Sequence, residues 1–372
     1  MAVEFGDRLN LITGDNGLGK SFLLDIAWWA LTRGWPQPEA PVTPRNDSNS
    51  ARIDTVVMGK AGGLVPLSIP FDYSQQSWML PTGRPHMPGL VIYAQVDGGF
   101  SVWDPARNYW KTPEGQKQEP YLFDSRQVWT GIENAGQWRC NGLYRDWASW
   151  QRENNESFQQ LSRVIEQLSP PGEPLRPGGL QRVSPTDSQD YPSIQMPYGL
   201  AVPVIHASAA IRRILALAYL LIWSWHEHLL AAGFRREEPT HRIIFIVDEI
   251  EAHLHPSWQR RILPSLLTVV NGLTGGSGNP DIQVIATTHS PLVCVSMEPS
   301  FDPDRDRLLD MDLDEANGVR IEAVSFSKLG SGERWLLSRN FDMPSSRSEP
   351  AENCIGEAGR LVQHDLEQPG SV

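Results

Sequence analysis

The stretch GDNGLGKS, residues 14–21, decides how the rest of the chain is read. It fits the spacing G-x-x-x-x-G-K-[ST] without a mismatch. A short β-like segment, residues 8–13 (RLNLIT), precedes it, and the helical pattern FLLDIAWWAL follows. That order suits a phosphate site: a strand delivers the chain, glycines wrap backbone N–H groups around an anion, and a helix N-terminus adds its positive end. Gly14, Asp15, Asn16, Gly17, Leu18, Gly19, Lys20, Ser21 and Phe22 are therefore the candidate nucleotide-binding residues. Lys20 is expected to reach the β- and γ-phosphates of ATP, and the Ser21 hydroxyl to bind Mg²⁺.

A second stretch, RIIFIVDE at residues 242–249, supplies the complementary chemistry. Residues 243–247 are apolar and rich in β-branched types, which reads as a strand buried on both faces of a parallel sheet. Open α/β sheets place ligands beyond the C-terminal ends of their strands, and there the chain puts Asp248 and Glu249. Adjacent acids in such a place are costly unless a cation or a water network compensates them. Mg²⁺ would do so for Asp248. Glu249 is then free to orient or deprotonate the attacking water as a general base.

Further pieces follow in order. Glu249 continues into IEAHLHP, residues 250–256, and QVIA at residues 283–286 reads as another short strand, ending in TTHSP at residues 287–291. The arrangement resembles the ABC-class ATPase superfamily (its SMC, RecF and OLD-like branch), whose members carry D-E-x-E-x-H-L-H-P followed by T-H-S-P. Within that branch it looks like the stand-alone defence ATPases such as the Septu-type ATPase. The resemblance implies an α/β fold, a P-loop NTPase of ABC-ATPase type. Its mixed parallel sheet would be flanked by helices, with a small antiparallel sheet and an inserted helical region. His289 matches the switch histidine that contacts the γ-phosphate, and residues 252–255 match the D-loop that touches a second subunit. His253 and His255 have no third ligand at zinc spacing, so no metal is expected there.

Members of this superfamily work as head-to-tail homodimers, each subunit closing an LSGG-like signature over ATP held by the other. In HASAAIRRILALAYLL, residues 206–221, Ser208 falls at the signature serine, acting in trans. Ala209 and Ala210 stand where two glycines are usual, and an N-cap serine on an apolar helix is the alternative reading. The P-loop begins at Gly14, whereas members of this superfamily usually have two more strands before it. A reduced antiparallel sheet and a start downstream of the true one are both compatible with that.

The motifs divide the chain into a P-loop half (1–50), an inserted β-hairpin and helical region with a Pro/Gly-rich segment (51–200), a C-terminal half with signature, acids and switch histidine (201–330), and a polar tail (331–372). Residues 51–78 and 89–103 alternate around Gly59, Gly62, Gly63, Gly98 and Gly99 and read as antiparallel hairpins beside the P-loop half. Residues 143–168 have helical periodicity, and 170–199 are expected to be irregular. The acidic run at 302–315 lacks the Gly and Glu of a calcium loop and reads as a solvated loop, with a last edge strand at 319–326.

Residues 214–225 carry no charge, but a spanning helix needs about twenty apolar residues, so a buried core helix and no membrane partner are expected. Glu4, Asp7 and Arg8 interrupt any signal-peptide pattern, and Cys140, Cys294 and Cys354 form no paired spacing, which fits a cytoplasmic protein. The net charge of −12 counts against autonomous duplex binding, so DNA is not a required partner. Of fourteen tryptophans, Trp103, Trp110, Trp129, Trp138, Trp147 and Trp150 fall in the inserted region and suggest a protein interface. OLD nucleases continue into a Toprim domain, and none is expected in the residues that remain here. The expected function is thus an ATP-hydrolysing dimeric switch that regulates a separately encoded effector, a nuclease or toxin, in anti-phage defence. The alternative is a RecF-like repair ATPase acting on DNA ends or gaps.

Overall fold

The computed structural model describes residues 2–44, 51–58, 63–80, 87–111, 115–116, 118–273, 281–314 and 318–367. The chain opens with β1 (Leu9–Gly14) and α1 (Lys20–Thr32), then a small antiparallel sheet of β2 (Arg52–Met58), β3 (Leu64–Asp72) and β4 (Ser77–Trp78). Next come β5 (Leu90–Ala94), β6 (Phe100–Trp103), α2 (Pro105–Asn108), β7 (Tyr121–Phe123) and α3 (Gln127–Thr130). A hairpin, β8 (Ile132–Asn134) and β9 (Gln137–Cys140), leads to α4 (Leu143–Glu153) and α5 (Glu156–Leu168). Three short strands, β10 (Arg176–Pro177), β11 (Ser193–Gln195) and β12 (Ala201–Pro203), precede the long α6 (Ala209–Arg235). The remainder runs β13 (Arg242–Val247), α7 (Pro256–Leu273), β14 (Asp281–Thr287), α8 (Pro291–Met297), β15 (Asp306–Asp314), β16 (Gly318–Val324), α9 (Gly332–Leu336) and α10 (Glu349–Glu367).

An eight-stranded sheet in the order β16-β15-β1-β14-β13-β5-β6-β7 organises the molecule. The strands from β15 to β5 are parallel, and antiparallel strands close both ends. Because successive side chains on a strand point to opposite faces, the apolar runs feed two cores at once. Leu9, Leu11, Ile243, Phe245, Val247, Val284 and Ala286 pack on one face against α6, α7 and α8. Ile12, Ile244, Ile246, Ile285, Leu309 and Met311 pack on the other against Leu24 and Trp28 of α1. The sheet β2-β3-β4 rests on the back of α1 through Ile53, Ile69 and Trp29.

The expected mixed sheet, flanking helices and small antiparallel sheet are all present. Several finer expectations change. Residues 89–103 do form a hairpin, but β5 is a central strand of the main sheet, parallel to β13, so the residues assigned to the inserted region help build the sheet itself. Gly59 and Gly62 lie outside the described residues. The helical stretch at 143–168 is two helices, broken where Asn154 turns left-handed and Asn155 caps α5. Residues 170–199 contain two strands of a small antiparallel sheet and bury Leu175, Tyr191 and Ile194.

The acidic run is not a solvated loop. It contains β15, which pairs in parallel with β1, and Leu308, Leu309 and Met311 fill the core between its acids. Buried Asp306 is satisfied by Arg8, whose Nε donates at 2.8 Å, and buried Asp310 accepts the Thr13 hydroxyl at 3.0 Å. The tryptophans of the middle region are mainly core: Trp103, Trp129, Trp147 and Trp150 are buried, and Trp138 is exposed. Helix α6 is long and apolar enough to cross a membrane by length and composition, yet 72% of its most apolar window is buried inside the protein.

The tail from residue 331 is anchored. Trp335 is 1% exposed and packs at a tilt against Phe326, and its Nε1 donates to Glu298 at 2.7 Å. Glu298 also accepts the backbone N–H groups of Leu329 and Gly330, so one carboxylate of the α8–β15 junction secures the start of the tail. Asn340 reaches back to the Thr13 hydroxyl at 3.3 Å, beside the end of β1. Trp335→Ala leaves a cavity and orphans part of this network, so it should cost about 3–5 kcal/mol. Urea unfolding should show a lower midpoint at unchanged slope, and an unchanged midpoint would mean the tail is not part of the core.

Candidate functional site

The phosphate loop begins where β1 meets β15. A Cβ at Gly14 would lie 2.3 Å from the Met311 carbonyl oxygen, and its φ of 132° is one that L side chains rarely adopt, so only glycine lets the strands pair up to the loop. Gly17 and Gly19 are also left-handed, and Gly19 stands at the N-cap of α1 with no side-chain cap. The first N–H groups of α1 therefore remain available to an anion. Lys20 is buried, and its Nζ donates to the carbonyls of Gly14 and Asp15 at 2.8 Å each, folding the ammonium back into the loop. Burial lowers its pKa, opposed by the attraction of Glu249, Asp248, Asp15 and Glu251.

Those acids arrive on the neighbouring strands. Register pairs Ile12 with Thr287, and Val247 with both Ala286 and Ala94, so β1, β14, β13 and β5 end at a common level. Just past those ends stand Asp248, Glu249, Gln95 and the TTHS turn. The Thr287 hydroxyl ties two elements together: it donates to Asp248 Oδ1 and accepts the Glu249 N–H, both at 2.7 Å. Glu249 has φ 44° and His253 φ 65°, left-handed conformations that non-glycine residues adopt rarely and that cluster at functional sites. His289 Nε2 lies 3.8 Å from Glu249 Oε1, close enough for electrostatic contact but too far for a direct hydrogen bond. Burial and then Lys20 lower the His289 pKa, opposed by the nearby acids, and the net direction favours the neutral imidazole.

Glu251, not singled out from the sequence, fixes His289. Its carboxylate accepts the Thr288 hydroxyl at 2.7 Å and the His289 N–H, although burial pushes its pKa up. Its signal was the third acid of the D-E-x-E pattern. Arg213 was also missed. This guanidinium on the second turn of α6 is 6% exposed and donates to the Gln95 carbonyl at 2.6 Å and the Asp248 carbonyl at 3.1 Å. Nothing in the sequence distinguished it from its half-buried neighbour Arg212. Asp25, one turn beyond Ser21 on α1, accepts the Tyr93 hydroxyl at 3.0 Å.

Ser208 caps α6, its Oγ accepting the Ile211 N–H at 3.4 Å, and it is exposed together with Ala209. The N-cap reading is thus correct as geometry, and it leaves the N-terminus of α6 facing solvent. Ser21 and Phe22 are exposed beside the loop. The donors available to a metal are a hydroxyl at Ser21 and the Asp248 carboxylate, with Gln95 adjacent. Among the described residues no group of three or more His, Cys, Asp or Glu could hold a metal by itself. That sparse, all-oxygen set fits Mg²⁺, which keeps several waters and shares its shell with substrate phosphates.

A family model described as "AAA domain, putative AbiEii toxin, Type IV TA system" matches residues 89–296. The chain is 44% identical over 55 residues to "Retron Ec83 probable ATPase" of Escherichia coli, which is 15% of this chain and 8% of that protein. It is 41% identical over 54 residues to "Retron Vc95 probable ATPase" of Vibrio cholerae serotype O1 biovar El Tor, 14% of this chain and 9% of that one. Both matches therefore span less than a tenth of those relatives. Among solved structures, the SMC head bound to the C-winged helix domain of ScpA is 12% identical with a TM-score of 0.45, covering 88% of this chain and 93% of that one. The SMC head domain from Thermotoga maritima is 17% identical with a TM-score of 0.38, covering 87% and 92%. Likeness at these scores carries no functional argument.

Burial raises the Asp25 carboxyl to about 6, with repulsion from Asp248 and Asp97 adding to the effect and the Tyr93 hydrogen bond opposing it. The folded state therefore holds this proton more tightly than the unfolded chain, whose Asp titrates near ~3.9. The stability that Asp25 contributes is present below pH ~4 and lost as pH rises through about 6. In metal-free protein, Asp25→Asn should thus gain on the wild type as pH rises from 4 to 7 and match it at the acid end. Unfolding midpoints that stay parallel across that range would refute the assignment.

Proposed function

This chain belongs to the AAA-domain family that the model over residues 89–296 defines, and on that premise we propose that it hydrolyses Mg²⁺–ATP as a dimeric switch governing a separate effector. One observation carries the reading. The buried Lys20, the acids Asp248 and Glu249, and His289 follow the ends of three strands and meet at one level, close enough for both acids to act electrostatically on Lys20 and on His289.

In this reading Lys20 leaves the loop carbonyls for the β- and γ-phosphates, while the N–H groups of residues 14–22 cradle them. Ser21 and Asp248 would hold Mg²⁺, which offsets phosphate charge when bound. Glu249 orients and deprotonates the attacking water, and neutral His289 donates to the γ-phosphate across the gap between them. Ser208 and the exposed N-terminus of α6 offer donors to ATP held by a second subunit. A toxin–antitoxin or retron setting is supported by the family's description as a putative toxin of a type IV TA system and by relatives named retron ATPases. Anti-phage defence is the setting this supports best.

Glu249→Gln should retain ATP binding and slow hydrolysis by about 10²–10⁴, the usual contribution of a positioned base. With turnover blocked, gel filtration in ATP should show more dimer than the wild type, and normal turnover would move the base elsewhere.

The trans role of Ser208 has a separate test. Ser208→Arg and Lys20→Ala proteins, each inactive alone, should recover activity when mixed, because each heterodimer contains one site built from two intact halves. Heterodimers that form without any recovery would leave Ser208 as a helix cap only.

A further inference from the structure

Away from the phosphate loop, a cleft of about 590 Å³ opens between the turn after β5, the start of α3, α4 and the first turns of α6. Arg126, Arg145 and Arg212 line it, each from a different helix or its cap, with the hydroxyls of Ser125 and Thr130 between them. Arg213 forms part of the same wall, and among the described residues Asp97 is the only acid in the lining. Among the described residues no carboxylate forms an ion pair with Arg126, Arg145 or Arg212, whereas Arg8, Arg152, Arg182, Arg242 and Arg320 each have one.

Such a concentration of unpaired cations is out of keeping with a chain of net charge −12. Like charges gathered in a cleft repel one another unless an anion balances them. The guanidinium groups are also oriented. Arg212 stacks over Trp129 with its carbon 4.5 Å from the ring centroid, and Arg145 over Trp138 at 4.0 Å. Arg145 donates one N–H to the Thr130 carbonyl at 3.0 Å; face-on stacking leaves the other edges of the two guanidinium groups available, and planar forks at several angles suit a phosphate with several acceptor oxygens. The volume lies within the ~300–1,000 Å³ usual for ligand sites, and Trp129 and Tyr144 give the cleft an aromatic wall.

We propose that this cleft is a second anion site, separate from the phosphate loop, that takes a nucleotide-sized phosphate-bearing ligand. Its source is a free nucleotide or the end of a nucleic-acid strand. The proposal rests on the charge and shape of the cleft and stands whether or not the chain hydrolyses ATP. A ligand there lies against Arg212, one residue from the guanidinium that holds the Gln95 and Asp248 carbonyls.

The test is calorimetric titration of the full-length Lys20→Ala chain in EDTA without ATP, so that the phosphate loop is disabled and no other nucleotide competes for the cleft. Thymidine monophosphate, a thymidine octanucleotide and hexaglutamate are titrated separately. At least one phosphate probe should bind with one site per chain. Binding of the monophosphate identifies a free nucleotide as sufficient, and binding of the octanucleotide alone identifies a strand. The exposed pair Arg126→Gln/Arg145→Gln should weaken that binding about ten- to a hundredfold. The single Arg126→Gln, whose side chain makes no hydrogen bond among the described residues, should weaken it in the same direction without shifting the thermal midpoint. The proposal is overturned if neither phosphate probe binds, if the substituted proteins bind as tightly as the Lys20→Ala parent, or if hexaglutamate binds as well as the phosphates.

Discussion

The buried guanidinium of Arg213 is the constraint on which the site depends. Four acids, Asp248, Glu249, Glu251 and Asp97, lie within its electrostatic reach, and it is itself almost wholly removed from water. Burying one cation among several anions is tolerable where burying either alone would not be. Its two N–H contacts then fix the ends of β5 and β13 against each other, which is where the sheet must be rigid if the carboxylates are to keep their spacing. The same residue is part of α6, whose N-terminus is exposed at Ser208. A force applied at that N-terminus therefore has a stiff path to Asp248.

The parallel core was legible because three segments carry their instructions locally. RLNLIT, RIIFIVD and QVIATTHS each combine an apolar run with polar residues at the C-terminal end, the pattern of a buried strand with a ligand at its tip. What could not be read were elements whose partners lie far away. VIYA at residues 91–94 looks like half of a hairpin, because Gly98 and Gly99 turn the chain back at once; its pairing with β13 depends on residues 150 positions on. The strand β15 was hidden by its own acids, which read as solvated until Arg8 and Thr13 are seen to satisfy them.

The site divides the same way. Residues with one chemical purpose in a fixed spacing, such as Lys20, Asp248, Glu249 and His289, stood out in the sequence. Residues that act by holding others did not. Thr287, Glu251, Arg213 and Asp25 are defined by what they touch, and a hydroxyl or a guanidinium has too many ordinary uses for its type alone to be informative. The middle-region tryptophans make the converse point: their number suggested an exterior role, yet Trp147 at 0% exposure packs behind α6 and serves the core.

The order of the strands has a consequence for synthesis. β1 lies between β14 and β15, so this strand is held on both sides by segments that are made much later. Contacts so distant along the chain are slow to form, since the closure entropy of a long loop is lost before any pairing compensates for it. While some three hundred residues are being added, at roughly 5–20 per second, the glycine loop has no strand beneath it and no acids opposite. Until β14 and β15 are made, a nascent chain therefore lacks the strands that flank the loop, and its phosphate site is completed long after the loop itself.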